Sequence, residues 1–483
     1  MKYSKTIFIL VCFIFFSCKK ETVDTNNSGS LNFSNDTITF DTVFASVGSI
    51  TKILKVYNNN ENDIYTDIEL KGVSVANFRI NIDGVPSNSL NNVNIPSKDS
   101  IFIFIEVTIN PSNNTLPYIL SDSLVFTSGS KKQSVKLIAW GQDAYFHTAN
   151  TYGEILSGND TIKFYYHQIN SNETWTNDKP HVIYGYVVIE PNCILNINPG
   201  TNIYLHHNSG IIVGNPFNPN FGGTIKINGE LGNEVTLQGD RLDQWYKELP
   251  GQWDRIWMMP GSINNEINYA IIKNGTIGIH ADSVANNNPT VKISNSIIEN
   301  MSSIGILGQG ATINAENLLI NECGQYTLAC NIGGIYDFTH CTFANYWNYN
   351  SRKNPSILLN NYYEGIDGNI YSRNLEKAKF TNCIIYGSLS NEISFQEDNS
   401  ANFNFDFDHC LIRLENSPVN INGSNFKNCI INQNPIFLDP YYKNYKTTQQ
   451  SPANNSGTQT NILLDIEGNF RTNPDIGVYE FQD

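Results

Sequence analysis

The sequence has few charged residues, and basic ones are especially scarce. Charged residues make up 16% of the 483-residue chain, and 30 lysines and arginines stand against 45 aspartates and glutamates, which leaves a formal net charge of −15. A protein that binds nucleic acid needs a basic stripe on its surface, so this composition excludes nucleic acid as a partner. The same acidity does not favour long-range attraction of polyanionic glycans, although a local basic pocket could still bind them.

Motifs that carry chemistry are also missing. The chain contains no HExxH, GxSxG, P-loop or Rossmann glycine motif and no CxxC pair. Two of its nine cysteines lie within the first 18 residues, and the remaining seven are an odd number, which argues against a disulfide framework or a zinc site. These absences leave catalysis open but favour a protein that is not an enzyme and needs no cofactor.

The first residues have the pattern of a secretory signal peptide. Two lysines precede the apolar run Ile7–Phe16, which is too short to span a bilayer, and Ser17 and Cys18 follow it. The Ser17–Cys18 pair resembles the lipobox of bacterial lipoproteins, in which the cysteine becomes the lipidated N-terminus. We predict a signal peptide at 1–17 and a lipidated Cys18 that begins a flexible tether at 18–30. The alternative is an ordinary signal peptide that contains this cysteine.

The residues after the predicted cleavage point indicate the location to which the protein is exported. The segment Cys18–Glu21 is charged and resembles the signals that send Bacteroidota lipoproteins to the outer face of the outer membrane. This resemblance implies a lipid-anchored protein of the outer membrane, exposed at the cell surface, that contacts the membrane through its anchor only.

Short strands fill the segment 31–142. Ile53–Tyr57 alternates apolar and polar residues, the period of a half-buried strand, whereas Ile101–Ile105 is wholly apolar, as in the core of a sandwich. Asp36–Phe44 and Lys98–Val107 resemble the Ig-like N-terminal domains of Bacteroidota surface lipoproteins. We expect an Ig-like β-sandwich here that serves as a spacer or docking module.

The segment 143–483 carries a degenerate repeat. Each unit is an alternating strand, then asparagine or histidine, then a small or apolar residue and two mostly apolar residues. The asparagine or histidine falls at Asn295, Asn317, His340, Asn382, His409 and Asn428, with gaps of 22, 23, 42, 27 and 19 residues. Strands of period two in a repeat of this length are what the coils of a parallel β-helix need.

Stacked coils would account for the residues that follow these polar positions. Equivalent residues of successive coils lie above one another, so Cys341, Cys383, Cys410 and Cys429 are expected to form a column of small apolar side chains inside the coil. The asparagines and histidines would satisfy backbone groups at a bend. Metal binding by His340 and His409 is the alternative.

Two further segments carry a resemblance. Val187–Thr201, which leads to Gly223–Gly229, resembles the opening coils of bacterial β-helix proteins. Arg471–Glu480 resembles the C-terminal motif of bacterial β-helix surface proteins with polysaccharide-lyase-like folds. Together they imply an all-β chain with an Ig-like N-terminal sandwich followed by a right-handed parallel β-helix at 143–483. The resemblance concerns architecture and brings no catalytic residues with it.

Acidic residues on a late coil are the candidates for catalysis. Enzymes that cleave uronic-acid polymers use Ca²⁺ held by carboxylates to acidify a sugar proton, and a lysine or arginine to remove it. Asp406 and Asp408 alternate with two phenylalanines and point outward together, and Lys377 and Lys379 lie on the preceding repeat. The alternative is an ordinary solvated strand face.

The gap of 42 residues predicts an aromatic-rich insertion near 344–376. Its candidate ligand-binding residues are Tyr346, Trp347, Tyr349, Arg352, Tyr362 and Tyr363. Aromatic rings stack on the apolar faces of sugars, and guanidinium groups donate hydrogen bonds to hydroxyls or carboxylates. A second aromatic loop runs from Asp240 to Trp257. The alternative is that these rings only pack the loops onto the coils.

A short motif that resembles the O-glycosylation sequon of Bacteroidota recurs along the chain. Aspartate is followed by serine or threonine and an aliphatic residue at Asp36, Asp41, Asp99, Asp122, Asp160 and Asp282. Sequences rich in strands also match so short a motif by chance.

The hypothesis that we favour is a non-catalytic, outer-membrane-anchored surface lipoprotein. It would bind a glycan or host matrix along the β-helix, with a polysaccharide or glycoprotein as its partner. One alternative is a Ca²⁺-dependent polysaccharide lyase or a hydrolase on the same scaffold. Another is a structural or assembly partner of outer-membrane complexes. Fold analogy does not choose among them.

Overall fold

The computed structural model shows an all-β chain divided into two units, Met1–Asp143 and Ala144–Asp483. Apart from strands, the described part contains two short 3-10 turns, Val75–Asn77 and Pro440–Tyr442. The predicted signal peptide, Cys18 and most of the tether lie outside the described residues. The structure describes residues 29–44, 48–72, 75–109, 118–157, 160–217, 221–243, 245–282, 289–416 and 418–482.

The first unit is built from two five-stranded sheets. Their orders are β1-β3-β8-β5-β6 and β2-β10-β9-β4-β7, and neighbours are antiparallel except for the parallel pair β2–β10. The strands are β1 (Asn32–Phe33), β2 (Thr37–Phe44), β3 (Lys52–Tyr57), β4 (Ile64–Gly72), β5 (Phe78–Ile82), β6 (Val85–Pro86), β7 (Ser89–Ile95), β8 (Ser100–Val107), β9 (Tyr118–Ser128) and β10 (Lys131–Gln142).

Both sheets of the first unit contribute to one hydrophobic core. On β8, Ile101, Ile103 and Ile105 are buried, whereas Phe102 and Phe104 are exposed. The wholly apolar segment therefore contributes its three isoleucines to the core and has its two phenylalanines on an exposed face. The exposed phenylalanines lie opposite β3, where the Lys55 ammonium is 5.2 Å from the centre of the Phe102 ring.

The described residues of the second unit form 33 strands, most of them parallel to their neighbours. They are β11 (Tyr145–His147), β12 (Thr151–Ser157), β13 (Asp160–Ile169), β14 (Glu173–Trp175), β15 (His181–Ile183), β16 (Tyr186–Ile189), β17 (Ile194–Ile197), β18 (Asn202–Leu205), β19 (Gly210–Val213), β20 (Thr224–Asn228), β21 (Val235–Gly239), β22 (Ile256–Met258), β23 (Asn265–Asn268), β24 (Ala270–Lys273), β25 (Ile277–Asp282), β26 (Val291–Met301), β27 (Ile304–Gln309), β28 (Thr312–Cys323), β29 (Tyr326–Asn331), β30 (Gly334–Thr339), β31 (Thr342–Asn345), β32 (Ile357–Asn360), β33 (Tyr362–Glu364), β34 (Ile370–Ser372), β35 (Leu375–Thr381), β36 (Ile384–Gly387), β37 (Ile393–Gln396), β38 (Phe403–Asp408), β39 (Leu411–Ile412), β40 (Phe426–Lys427), β41 (Ile430–Ile431), β42 (Phe437–Asp439) and β43 (Asn444–Thr447).

These strands stack in three columns, two in a 19-stranded sheet and one in a 10-stranded sheet. Column one runs β14-β17-β20-β23-β26-β28-β30-β35-β38-β40, and column two runs β11-β15-β18-β21-β24-β26-β28-β31-β36-β39-β41, with the long β26 and β28 bending through both. Column three is β12-β13-β16-β19-β22-β25-β27-β29-β32-β37. Consecutive strands such as β17, β18 and β19 enter columns one, two and three in turn, a path compatible with a β-helix.

The pairing register follows the spacing read from the sequence. Ile293, Ala315, Phe338, Phe380, Phe407 and Phe426 pair in succession along column one, which gives steps of 22, 23, 42, 27 and 19 residues. The four phenylalanines stack as nearly parallel rings, with neighbouring centres 4.9–5.3 Å apart. Cys341, Cys383 and Cys410 are fully buried in the same core, as expected for small apolar side chains.

A ladder of polar residues marks the bend between columns one and two. Its members all have positive φ, between 48° and 53°, a conformation that asparagine tolerates better than most residues. The Asn317 amide donates to Asn295 Oδ1 at 2.9 Å, and the Asn382 amide donates to His340 Nε2 at 3.0 Å. The members of this bend ladder are Asn295, Asn317, His340, Asn382, His409 and Asn428.

The last fifty residues pack back onto the coils. This C-terminal strap, residues 433–482, places Phe437, Tyr445 and Val478 against outward-facing apolar residues of column two such as Leu319 and Ile384. It is also tied to the bend ladder: Thr458 exchanges two hydrogen bonds with the Asn382 side chain, at 2.7 and 2.8 Å. The strap therefore covers the outer face of column two and ends at the edge of column one.

Candidate functional site

The aromatic insertion is not an extra coil. Between β31 and β35 the chain makes a loop at 346–356, enters column three as β32, and then forms the hairpin β33–β34. The gap of 42 residues therefore consists of two excursions from a single coil.

Two predicted ligand-binding residues of the insertion are buried, so their expected exposure is wrong. Arg352 forms an ion pair with Glu392, with Nη2 to Oε1 at 2.6 Å and Nη1 to Oε2 at 2.9 Å, and both side chains are almost fully buried. The indole of Trp347 is buried and donates to Asn350 at 3.0 Å. The Arg352 guanidinium holds the loop in place. It also neutralises the Glu392 carboxylate, which would be costly to bury without a partner.

The insertion's tyrosines divide between packing and exposure. Tyr346 packs on Tyr445 of the strap, with ring centres 6.1 Å apart, and Tyr362 is half-buried. Tyr349 and Tyr363 are exposed. Tyr363 stacks on Tyr371 across the β33–β34 hairpin at 5.2 Å. The six candidate residues therefore do not form one sugar-binding surface.

The candidate catalytic aspartates lie side by side on β38, each with a partner of its own. Lys427 Nζ lies 2.8 Å from Asp406, and His409 Nδ1 lies 2.8 Å from Asp408. Lys377 pairs with Asp337 on the neighbouring strand. Within the described ranges, no three His, Cys, Asp or Glu residues are grouped so that they could hold a metal ion. The arrangement is thus one of separate pairs on a strand face.

A polar groove of about 1200 Å³ runs along the outer face of column one. Its floor crosses seven successive strands of column one, from β20 to β38, and residues 458–462 of the strap form its wall. It is lined by Asn228, Glu266, Ile267, Asn268, Lys292, Ile293, Ser294, Asn295, Asn314, Ala315, Glu316, Asp337, Thr339, Lys379, Thr381, Asp408, Thr458, Gln459, Thr460, Asn461 and Ile462. Of the predicted catalytic set, Asp408 and Lys379 line it.

Charges in and beside the groove nearly balance. Glu266 pairs with Lys226 at 2.7 Å, and Asp337 pairs with Lys377. Burial raises the pKa of the Glu316 carboxyl, an effect that the Lys292 ammonium partly offsets. The floor therefore offers amides, hydroxyls and paired charges, a surface suited to an uncharged polar ligand.

The outward residues of column one occupy fixed positions relative to the bend ladder. The positions three residues before the bend ladder are Lys292, Asn314, Asp337, Lys379 and Asp406, and those one residue before it are Ser294, Glu316, Thr339, Thr381 and Asp408. Both sets point outward because the residue between them faces the core. The wall could not be read in this way, since the strap is distant in sequence.

Comparisons with known proteins add no functional assignment. No family model and no curated protein matches the chain. Matches to solved structures include the catalytic unit of a GH87 α-1,3-glucanase from Streptomyces thermodiastaticus strain HF3-3, with 8% identity over 76% of this chain and 64% of that one and a TM-score of 0.17.

Two shorter matches each cover about a quarter of this chain. A protein of unknown function from Porphyromonas gingivalis W83 has 14% identity over 25% of this chain and 55% of that one, with a TM-score of 0.18. A family 123 glycoside hydrolase from Clostridium perfringens has 11% identity over 23% and 25%, with a TM-score of 0.18. Each of these three matches spans less than two thirds of the other protein, and TM-scores this low carry no argument.

No helix in the described ranges is long and apolar enough to cross a membrane. The predicted association with a membrane depends on Cys18, which lies outside those ranges, and it stays a prediction.

Proposed function

We propose that this protein is a non-catalytic surface lipoprotein that binds an extended glycan in the polar groove. The observation that carries the proposal is the groove itself, open to solvent across seven stacked strands and lined by side chains that can donate and accept hydrogen bonds. Its floor repeats at the strand spacing of about 4.8 Å. A linear polymer of sugar units likewise presents hydroxyl groups at regular intervals.

The chemistry of the lining supports a polar ligand rather than a protein partner. Outward positions on the floor are amides, hydroxyls and charges, and the apolar lining residues Ile267, Ile293 and Ala315 belong to the buried core. A protein interface normally centres on exposed aromatic or aliphatic anchors. The floor of the groove has none, so a role as an assembly partner receives less support at this site.

The finer architecture is part of the proposal. Two five-stranded sheets with a common core support an Ig-like sandwich in the first unit, as a spacer or docking module. Three columns of parallel strands entered in turn support a parallel β-helix in the second unit, and right-handedness is by far the usual sense of parallel crossover connections.

Affinity electrophoresis of the full-length protein tests the groove. The protein is run through gels cast with neutral and acidic polysaccharides, with and without Ca²⁺. We expect retardation by at least one intact polymer, and loss of this retardation in Thr339→Tyr, which places a ring on the groove floor. Ser394→Tyr, on the partly exposed column three strand β37, is the matched control and should be retarded normally. Equal retardation of both variants would overturn the proposal.

Catalysis in the same groove is the second candidate. Its supporting observation is the position of Glu316 on the groove floor together with its raised pKa, which favours the protonated form that can donate a proton to a leaving group. A cleared zone in the stained polymer, lost in Glu316→Gln, would indicate a hydrolase. Clearing that requires Ca²⁺ and is lost on changing Asp406 or Asp408 would indicate a lyase instead.

The lipid anchor has its own test. In a bacterial host fed a labelled fatty acid, the wild-type protein should carry label and sediment with the outer membrane, and protease added to intact cells should degrade it. Cys18→Ala should carry no label. Label retained in that variant would contradict the lipoprotein assignment and favour an ordinary signal peptide.

A further inference from the structure

Three segments of the second unit meet at Glu248. The segment 245–252 and the loop at 346–356 were both singled out by their aromatic residues, and the structure joins them, since Tyr349 Oη donates to the backbone oxygen of Glu248 at 2.7 Å. The strap adds a third element, the turn Pro440–Tyr442, because Lys443 Nζ lies 3.8 Å from Glu248.

Large aromatic rings project into solvent from all three segments. The exposed fractions are 84% for Trp245, 45% for Tyr349, 74% for Tyr441 and 77% for Tyr442. Leaving such rings in water forgoes the stabilisation that their burial would bring, so a local group of them marks a binding surface. We call these four residues the aromatic rim.

The supports of the rim are held firmly. The Asp439 carboxylate caps the turn by accepting the Tyr442 backbone N–H at 3.3 Å, and Pro440 fixes its first position. On the opposite segment, the Asn300 amide donates to the backbone oxygen of Glu248 at 2.7 Å, and the Asn274 amide donates to that of Lys247 at 2.6 Å. Rings on fixed supports lose little conformational entropy when a ligand binds.

A compact charged centre lies beside the rim, next to Tyr442 in sequence and joined to Tyr349 through Glu248. Lys443 Nζ is 3.7–3.8 Å from carboxylate oxygens of Glu248, Glu299 and Glu322, and Lys273 is 4.0 Å from Glu248. Burial raises the pKa of Glu322, while the three carboxylates raise that of Lys443. Three carboxylates against two ammonium groups give a slightly acidic centre that accepts hydrogen bonds from hydroxyl groups.

We propose that the aromatic rim is a second carbohydrate-binding surface, specific for uncharged sugar residues. The rings stack on the apolar faces of the sugars, and the half-exposed Glu248 carboxylate accepts hydrogen bonds from their hydroxyls. A glycan that carries carboxylates or sulfates is disfavoured because it would meet an excess of negative charge. This inference shares the ligand class of the proposed function but rests on different residues.

Charge and spacing distinguish this surface from a protein-docking patch. Its ring-bearing segments carry or adjoin five charged side chains instead of a contiguous apolar centre, and a protein partner would have to remove these charges from water. Sugars leave such charges partly hydrated and supply hydroxyl partners for them.

The test measures binding of the full-length protein to soluble neutral polysaccharides, namely mannan, xylan, laminarin and dextran, with polygalacturonate as the acidic comparison. The double variant Trp245→Ala, Tyr442→Ala should weaken binding to the preferred neutral polymer about tenfold, the change expected for the loss of stacking contacts. Phe470→Ala is the matched control, since Phe470 is equally exposed, at 76%, on another part of the strap.

Combining the rim and groove variants separates the two proposals. Loss of binding in the rim variant but not in Thr339→Tyr supports the rim and overturns the groove, and the reverse result overturns the rim. Unchanged binding in the double rim variant, or binding of polygalacturonate in preference to every neutral polymer, would also overturn the rim. Circular dichroism of each variant, unchanged from wild type, establishes that any loss reflects the removed rings.

Discussion

The strands β26 and β28 each run from the polar groove to the part of the coil beneath the strap, and their outward side chains differ between these two regions. Before the bend, β26 presents Lys292 and Ser294 to the polar groove; after it, the outward residue Ile297 packs beneath the strap. On β28, Glu316 lines the groove, whereas Leu319 is buried against the strap. One strand can thus carry both a face built for a ligand and a face built for packing.

A covered face of a coil can therefore be recognised from its residue pattern in the sequence. The groove side keeps strict alternation, because only its inner residues are buried. On the strap side the residues form an uninterrupted apolar run, Leu318-Leu319-Ile320 on β28, because both faces of the strand are covered. Outward apolar residues that recur from coil to coil therefore predict an additional covering segment.

The largest expected effect is on the covered face. Tyr445→Ala removes a fully buried ring of the strap and should lower the free energy of unfolding of the second unit by about 3–5 kcal/mol, as in other large-to-small core substitutions. Urea denaturation monitored by fluorescence measures the change. Tyr442→Ala, three residues earlier and exposed, should change it by less than about 0.5 kcal/mol. Equal effects would mean that the strap is not part of the core.

A smaller effect is expected where the strap meets the bend ladder. Asn382→Ala deletes the side chain that bonds both His340 and Thr458, and should cost about 1–3 kcal/mol. Asn428→Ala is its control, with nearly the same φ but an exposed side chain, so backbone strain cancels between the two. A difference near zero in urea denaturation would show that the ladder does not hold the strap.

Acid should weaken the same junction. Burial, with the nearby Arg471 charge, lowers the pKa of His340 from 6.5 to about 3. The neutral imidazole is thus favoured in the folded protein, so its contribution to stability is complete above about pH 6.5 and is lost as the pH falls towards 3. Through this residue, the free energy of unfolding changes by at most about 1.4 kcal/mol per pH unit.

The variant His340→Asn isolates this contribution, because asparagine occupies other positions of the same ladder. We expect its stability to fall less than that of wild type between pH 6.5 and 4, as measured by urea denaturation at each pH. His147, whose pKa burial also lowers to about 3, remains in both proteins. Parallel pH profiles for the two proteins would refute the assignment to His340.

The smallest effect is expected on the groove side. The Glu316 side chain is exposed on the groove floor, so Glu316→Gln should change the free energy of unfolding by less than about 0.5 kcal/mol. A loss of more than 1 kcal/mol in thermal or urea unfolding would mean that the groove face is built for packing after all.

Sequence reasoning predicted the all-β class with its parallel stacking, because the repeat is local and each coil pairs with the next. It also placed the polar bend residues, whose left-handed conformation restricts the choice of side chain. It failed at Trp347 and Arg352, since the partner that buries Arg352, Glu392, is forty residues away. The groove wall was missed for the same reason, as Thr458 and its neighbours dock on Asn382 far from their own position in the chain.

Hydrogen–deuterium exchange of the full-length protein, with and without the polysaccharide that retards it, tests directly whether a glycan binds in the groove. Glycan bound in the groove should slow exchange in peptides that cover 458–462 and the column-one parts of β26, β28 and β30, while peptides of the 10-stranded sheet stay unchanged. Protection confined to the 10-stranded sheet or to the first unit would contradict the account.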